Sequence, residues 1–319
     1  MKYQSNILES TPWSISIDLW SDFSKIAKQI MLNDGLKGVS DDHAVYEYYN
    51  FTKRMIEPLP RKVFKSQEFQ CPVEYEQALS EFVSHVECGD NLQGYLSDKI
   101  LYADKTDDLL NDWNIHHFHL TKRFREDGFA KRSDYEIFAW VTSKAMYLIQ
   151  IYPHKKDYLY STQEMIKIIH TNWPELLENY HMKGVPCLTE EIDDEMYNKI
   201  REAHISTAVQ IAENEVYCLM GGGYMSNGAS GEAMRISIRW HNRMCECEKM
   251  LKANKNIIFE FIQSARGKVD RNLEICLLTA DSLDDITVIE RKNRVGIQML
   301  LKDGKFRFFI LEDMLNGRI

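Results

Sequence analysis

Apolar residues recur at three- and four-residue intervals through Trp20, Phe23, Ile26, Ala27, Ile30 and Met31, and again through Leu79, Phe82, Val83 and Val86. That period predicts amphipathic helices over most of residues 1 to about 105. Around Asp112 the pattern changes. After Trp113-Asn114-Ile115 come His117-Phe118-His119-Leu120, a polar basic stretch, and two runs rich in β-formers, residues 135–141 and 146–152. Each run is strand-length, and the short Thr142-Ser143-Lys144-Ala145 connection predicts an antiparallel hairpin. Pro153 ends the second strand. Ser161 with Glu164 has the spacing of a capping box, and Met165, Ile168 and Ile169 form the buried stripe of the helix that follows.

Gly184-Val185-Pro186 is the natural boundary. Beyond it Ile192, Met196 and Ile200 share one helix face, and residues 204–211 and 216–220 form a second hairpin around Glu213-Asn214. The glycine-rich loop Gly221-Gly222-Gly223-Tyr224-Met225-Ser226-Asn227-Gly228 leads to a helix capped by Ser230, with Ile236, Trp240, Met244, Cys247 and Leu251 at helical spacing. The chain then returns to strands at 273–278 and 286–290, followed by a hairpin whose Asp303-Gly304 turn joins 295–301 to 306–311. The expected fold class is α+β: a mainly helical region over 1–110, a small antiparallel sheet module with its following helix over 111–184, and a C-terminal α/β domain with antiparallel hairpins over 185–319.

The chain has 319 residues, 44% of them hydrophobic and 27% charged, which is a globular balance rather than a disordered one. Its start, Met1-Lys2-Tyr3-Gln4-Ser5, lacks a signal-peptide core, and no run of about 18 apolar residues occurs, so a cytoplasmic protein with no membrane partner is expected. Seven cysteines without an export signal read as idle thiols. Cys245 and Cys247 lack the second pair that a zinc site needs. A net charge of −9 argues against duplex DNA as a partner.

Candidate chemistry concentrates at residues 116–154. His116, His117, His119 and His154 fall there with Arg123, Arg125, Lys131, Arg132, Lys155 and Lys156. On a strand, 117 and 119 face the same side. If that strand pairs with the hairpin ending at His154, three imidazoles converge at one sheet edge, and such a group holds a base and an acid together near neutrality. Several other readings stay open. His117-x-His119 with Asp112 or His154 has the makings of a metal site for a metal-dependent hydrolase. His119-Leu120-Thr121 and His204-Ile205-Ser206 match the paired tripeptides of 2H phosphoesterases. The glycine loop, between strand and helix, can receive a phosphate or simply make a demanding turn. A non-catalytic interaction protein with structural histidines is the remaining alternative.

The run Ser133-Asp134-Tyr135-Glu136-Ile137-Phe138-Ala139-Trp140-Val141, with Met146-Tyr147-Leu148-Ile149-Gln150-Ile151-Tyr152-Pro153-His154-Lys155-Lys156-Asp157-Tyr158, resembles the closing hairpin of RelE-type toxin ribonucleases over about residues 115–160. The resemblance implies metal-independent cleavage of RNA, free or ribosome-presented, and a cognate antitoxin as inhibitor. No cofactor is implied. His119 would serve as base, His154 as acid, and Arg123, Arg132 or Lys155 as the cation facing the developing phosphorane charge, with His117 on the same face as His119.

Overall fold

The computed structural model describes residues 14–131, 133–267 and 270–311. In chain order its elements begin with β1 (Ser14–Ile17), α1 (Leu19–Asn33), α2 (Ala44–Arg54), β2 (Lys62–Lys65), α3 (Glu76–Cys88) and α4 (Asp108–Trp113). Next come β3 (Ile115–His119), β4 (Tyr135–Val141), β5 (Ala145–Pro153), α5 (Glu164–Asn172), α6 (Asp194–Glu202), β6 (Val209–Ala212) and β7 (Glu215–Tyr217). The chain closes with α7 (Gly231–Ala253), α8 (Lys255–Arg266), β8 (Asn272–Ser282), β9 (Asp285–Glu290), β10 (Val295–Leu300) and β11 (Lys305–Ile310). The class is α+β, with mostly antiparallel pairing. No helix among the described residues is long and apolar enough to cross a membrane.

Two compact units divide the chain, one joining the segment up to Gln29 with the segment from Ser237 onwards, the other formed by Ile30–Ile236. The boundary expected at Gly184-Val185-Pro186 falls inside the second. The first unit is a five-stranded sheet in the order β1-β8-β9-β10-β11, antiparallel except where β1 runs parallel to β8. Alternate residues Ile286, Val288, Val295, Ile297 and Met299 are buried, as a sheet covered on one face requires. Trp240, Met244, Cys247 and Leu251 of α7 form a buried stripe, and Trp240 packs on Phe23 with centroids 5.0 Å apart. The Asp303-Gly304 turn closes the β10–β11 hairpin within a residue of its expected ends.

In the second unit a four-stranded sheet runs β2-β5-β4-β3. Phe118, Ile137 and Ile151 point into a core shared with α2 and α3, while Ile115, Phe138 and Ile149 point into another shared with α4 and α5. β4 is therefore buried on both faces from Glu136 to Trp140, which is why its sequence reads as a near-continuous apolar run. β2 joins β5 in parallel. The N-terminal region is thus not helical throughout: Ser14–Ile17 and Lys62–Lys65 are strands of four residues, too short to carry a period, and their partners lie far along the chain.

Two helix details differ from expectation. The inward residues of α6 are Tyr197 and Arg201, not Met196 and Ile200, because Arg201 is drawn in by Asp112. Ser161 does not cap α5. Its Oγ donates to Asn198 Oδ1 at 3.1 Å and accepts from Arg201 Nη1 at 3.3 Å, while Glu164 accepts from Tyr152 and Lys156.

Replacing Trp240 with Asp should cost the chain about 3–5 kcal/mol, the loss expected for a large core aromatic. Urea unfolding measures it, and an unchanged midpoint would show that the α7 stripe is not core.

Candidate active site

Strand register gathers the histidines. β3 pairs with β4 so that His119 lies opposite Glu136, which lies opposite Tyr152 on β5. His117 lies opposite Phe138 on the same face. Pro153 ends β5, and the His154 N–H donates to the Asp134 carbonyl at 2.8 Å, fixing His154 beside the start of β4. β3 and β5 are therefore not neighbours, as direct pairing would have it. β4 separates them, and its Glu136 is the piece that joins their imidazoles. His119 Nδ1 is 3.5 Å and His154 Nε2 is 3.8 Å from the same Glu136 Oε1. Tyr160 donates to Oε2 at 2.8 Å.

These groups open into a cleft of about 770 Å3 along the free outer edge of β3. Asp107 and Asp108 at the start of α4 form another wall. Asp107 caps that helix by accepting from Leu110 N at 3.0 Å, and its Oδ2 stands 3.5 Å from His117 Nδ1. α4 is held in turn by a buried ion pair: Arg201 donates to Asp112 Oδ2 at 2.7 and 3.0 Å, with its guanidinium 4.5 Å from the Trp113 ring. Such a pair is expensive to break from one side. The glycine loop braces α4 from behind. Gly221 N and Gly223 N donate to the carbonyls of Asp112 and Asn111, and a Cβ at Gly221 would collide with the Leu110 and Asn111 backbone. Those amides are consumed by the helix, so the loop's glycines serve close approach rather than a phosphate.

Burial sets the protonation of the cleft. It pushes His119 below the ordinary histidine range, with Glu136 pulling the other way, so the ring is a neutral base near pH 7. His116, buried on the other face of β3 but bordering the cleft, is lowered to about 4 for the same cause. Burial raises the Tyr160 hydroxyl, and Glu136 raises it further, so it stays a donor. Asp108 is raised by burial and then by Asp107. His117 Nδ1 and His119 Nδ1 are buried without a hydrogen-bond partner. A neutral imidazole, a second about a third exposed at the mouth, and a carboxylate within 4 Å of both are the groups that acid–base chemistry would use.

His117, His119 and His154 come together as strand parity requires. Lys155 and Arg123 are exposed and do not line the cleft. Arg132 lies outside the described residues. Arg54 lines the cleft, but its nitrogens donate to the carbonyls of Asn50, Lys99 and Tyr102. Lys99, which the sequence did not single out, is the lining cation with no carboxylate partner among the described residues. Asp112, as a third metal ligand, is taken by Arg201, and no group of three or more His, Cys, Asp or Glu side chains among the described residues is arranged to hold a metal ion. His204 and Ser206 do not line the cleft that holds His119, so the 2H pairing is not formed; Ser206 Oγ instead accepts from Tyr224 N at 3.0 Å. Glu136, Tyr160 and Asp107 were missed. Only Glu136 carried a signal, as the lone charge in a run of buried β-formers.

The depressed His116 fixes a sign for stability. Its neutral form is the folded one, so the contribution is complete above about pH 6.5 and is lost as pH falls toward 4, on the order of 3 kcal/mol. Urea midpoints at pH 7 and pH 4.5 should diverge less in His116→Phe; an equal gap would show that other groups drive the acid loss. In an NMR titration His119 should protonate below the usual histidine pH, and lower still in Glu136→Gln, since that carboxylate favours the imidazolium. A rise in the variant would refute the pairing.

No protein-family model, no curated protein and no solved structure matches this chain, so the cleft has to be interpreted from its own geometry.

Proposed function

We propose that this chain is a metal-independent ribonuclease of the toxin or defence kind that its hairpin resembles. One observation carries the reading: two imidazoles, one on β3 and one in the turn after β5, approach the same buried Glu136 oxygen, at 3.5 and 3.8 Å, inside an open cleft. RNA supplies its own nucleophile, the 2′-hydroxyl, so the protein needs a base, an acid and a counter-charge. In this reading His119 takes the 2′-proton as the 2′-oxygen attacks phosphorus, and Glu136 stabilises the resulting imidazolium. His154, protonated, gives its proton to the departing 5′-oxygen. Lys99 and His117 face the phosphorane charge, in place of Lys155 and Arg132. The products are a 2′,3′-cyclic phosphate and a free 5′-hydroxyl.

The cleft's carboxylates fit this role only if the backbone is not drawn in by long-range attraction. Asp98 is already paired with Arg125 at 2.9 Å. The remaining carboxylates favour RNA oriented by contacts outside the cleft, or by a larger assembly such as a ribosome, with an antitoxin-type protein as the natural restraint.

Purified protein should cut single-stranded or ribosome-presented RNA in EDTA and leave 2′,3′-cyclic phosphate ends. His119→Ala and His154→Ala should each slow cleavage by roughly 10²–10⁴-fold while staying folded. A requirement for added divalent metal would move the assignment to a metal-dependent hydrolase. No cleavage in any presentation would leave the histidines structural and the chain an interaction protein.

A further inference from the structure

Between β3 and β4 the basic stretch is not a loose connection. Arg125 N donates to Phe129 O and Lys131 N to Arg123 O, each at 2.7 Å, Gly128 N closes the turn onto Arg125 O, and Phe124 bridges Ala130 in antiparallel fashion. Ala130 N also donates to Gly94 O at 2.7 Å, and Gly94 lies so close to the Gly128 carbonyl that a Cβ would not fit. The small hairpin is thereby clamped onto the segment around Tyr95.

A second cavity, of about 550 Å3, opens where they meet. Its walls include Tyr95, Phe124, Phe129 and Gln93. Phe124 is 41% exposed, unusual for a phenyl ring, and stands edge-on to Tyr95 with centroids 5.1 Å apart at 89°. Tyr95 is itself backed by Phe82 of the core, also at 5.1 Å. Three of the nearby acids are paired: Arg125 holds Asp127 at 2.8 Å and Asp98 at 2.9 Å, and His85 Nδ1 lies 2.7 Å from Asp90. Arg123 and Lys131, exposed and paired through their backbones on the hairpin, have no carboxylate partner among the described residues.

An aromatic slot with a fixed floor and an exposed ring, on a hairpin that also carries the cations Arg123 and Lys131, offers what a single-stranded nucleic acid needs: stacking for a base and, close by, charge for its phosphate. Its position adds to this. The segment of residues 93–101 walls both cavities, with Gln93, Tyr95 and Leu101 lining this one and Ser97, Asp98 and Lys99 lining the histidine cleft. We propose that this slot is a nucleobase subsite of the RNA cut in the neighbouring cleft. A base flanking the scissile bond stacks on Phe124 against Tyr95, and Arg123 and Lys131 take its phosphate. The subsite rests on the ribonuclease reading, and it supplies the orienting contact that the acidic cleft lacks.

The probe is a fluorescent 2′-O-methyl hexaribonucleotide, which cannot be cut because its 2′-oxygen is blocked. Its binding to the full chain is followed by anisotropy, beside cleavage of the matching RNA. Phe124→Ala should weaken binding roughly ten-fold or more at unchanged melting temperature, since each stacked base is worth about that much, and Phe124→Trp should restore it. Arg123→Ala should flatten the salt dependence. Cleavage by Phe124→Ala should fall at low RNA concentration and recover at saturation. Equal binding by wild type, Phe124→Ala and Arg123→Ala would overturn the subsite even if RNA is cut, and so would a wild type that fails to bind the probe. Binding that depends on Phe124 without any cleavage would leave the subsite standing and remove the ribonuclease reading.

Discussion

A carboxylate placed near the start of a strand that is covered on both faces has to be answered locally, because a buried unpaired charge is far more costly than the fold can bear. Glu136, 1% exposed, is that group. The Tyr160 hydroxyl donates to one oxygen, and the His119 and His154 rings stand 3.5 and 3.8 Å from the other. Satisfying it requires β3 and β5 to lie on either side of β4 in one register, and requires Tyr160 to fold back from beyond β5. The same side chains, Glu136, His119, His154 and Tyr160, line the cleft.

The surroundings make that arrangement rigid. α4 carries Asp107 to His117, and its own position depends on the Asp112–Arg201 pair, on the Trp113 indole donating to Tyr197 at 3.0 Å, and on Lys53, whose ammonium reaches Asn111, Glu232 and the Gly221 carbonyl. Burial lowers the Lys53 ammonium while Glu232 opposes the shift, so this cation holds the backbone in place and is not spare for a substrate. Rigid supports of this kind let an imidazole keep a depressed pKa instead of moving out to water.

What the sequence revealed follows the range of the forces involved. α3, the α7 stripe, the β4–β5 hairpin and the Asp-Gly turn at 303–304 are local patterns and were legible. The three cleft histidines were legible too, because alternation along β3 and the Pro153 stop are properties of short segments. β1 and β2 were not, since four-residue strands are defined by partners distant in sequence. The inward face of α6 was misjudged because a charged residue, Arg201, is buried by a partner that hydrophobicity does not predict. Lys99 and Tyr160 reach the cleft only through tertiary packing. Glu136 stands between these cases: its neighbours showed a strand buried on both sides, and that alone obliges a charged residue to have partners.

The close approach of the glycine loop to α4 has a bearing on how this molecule answers to genetics. Gly221 meets the carbonyls of the helix that presents Asp107 and Asp108, and Gly222 meets Glu232, leaving neither position room for a methyl group. An alanine scan would therefore score these glycines beside the histidines, although neither lines the histidine cleft. A map of loss-of-function positions on this chain would spread beyond the cleft, and only measurements that separate folding from function would shrink it to the cleft's own outline.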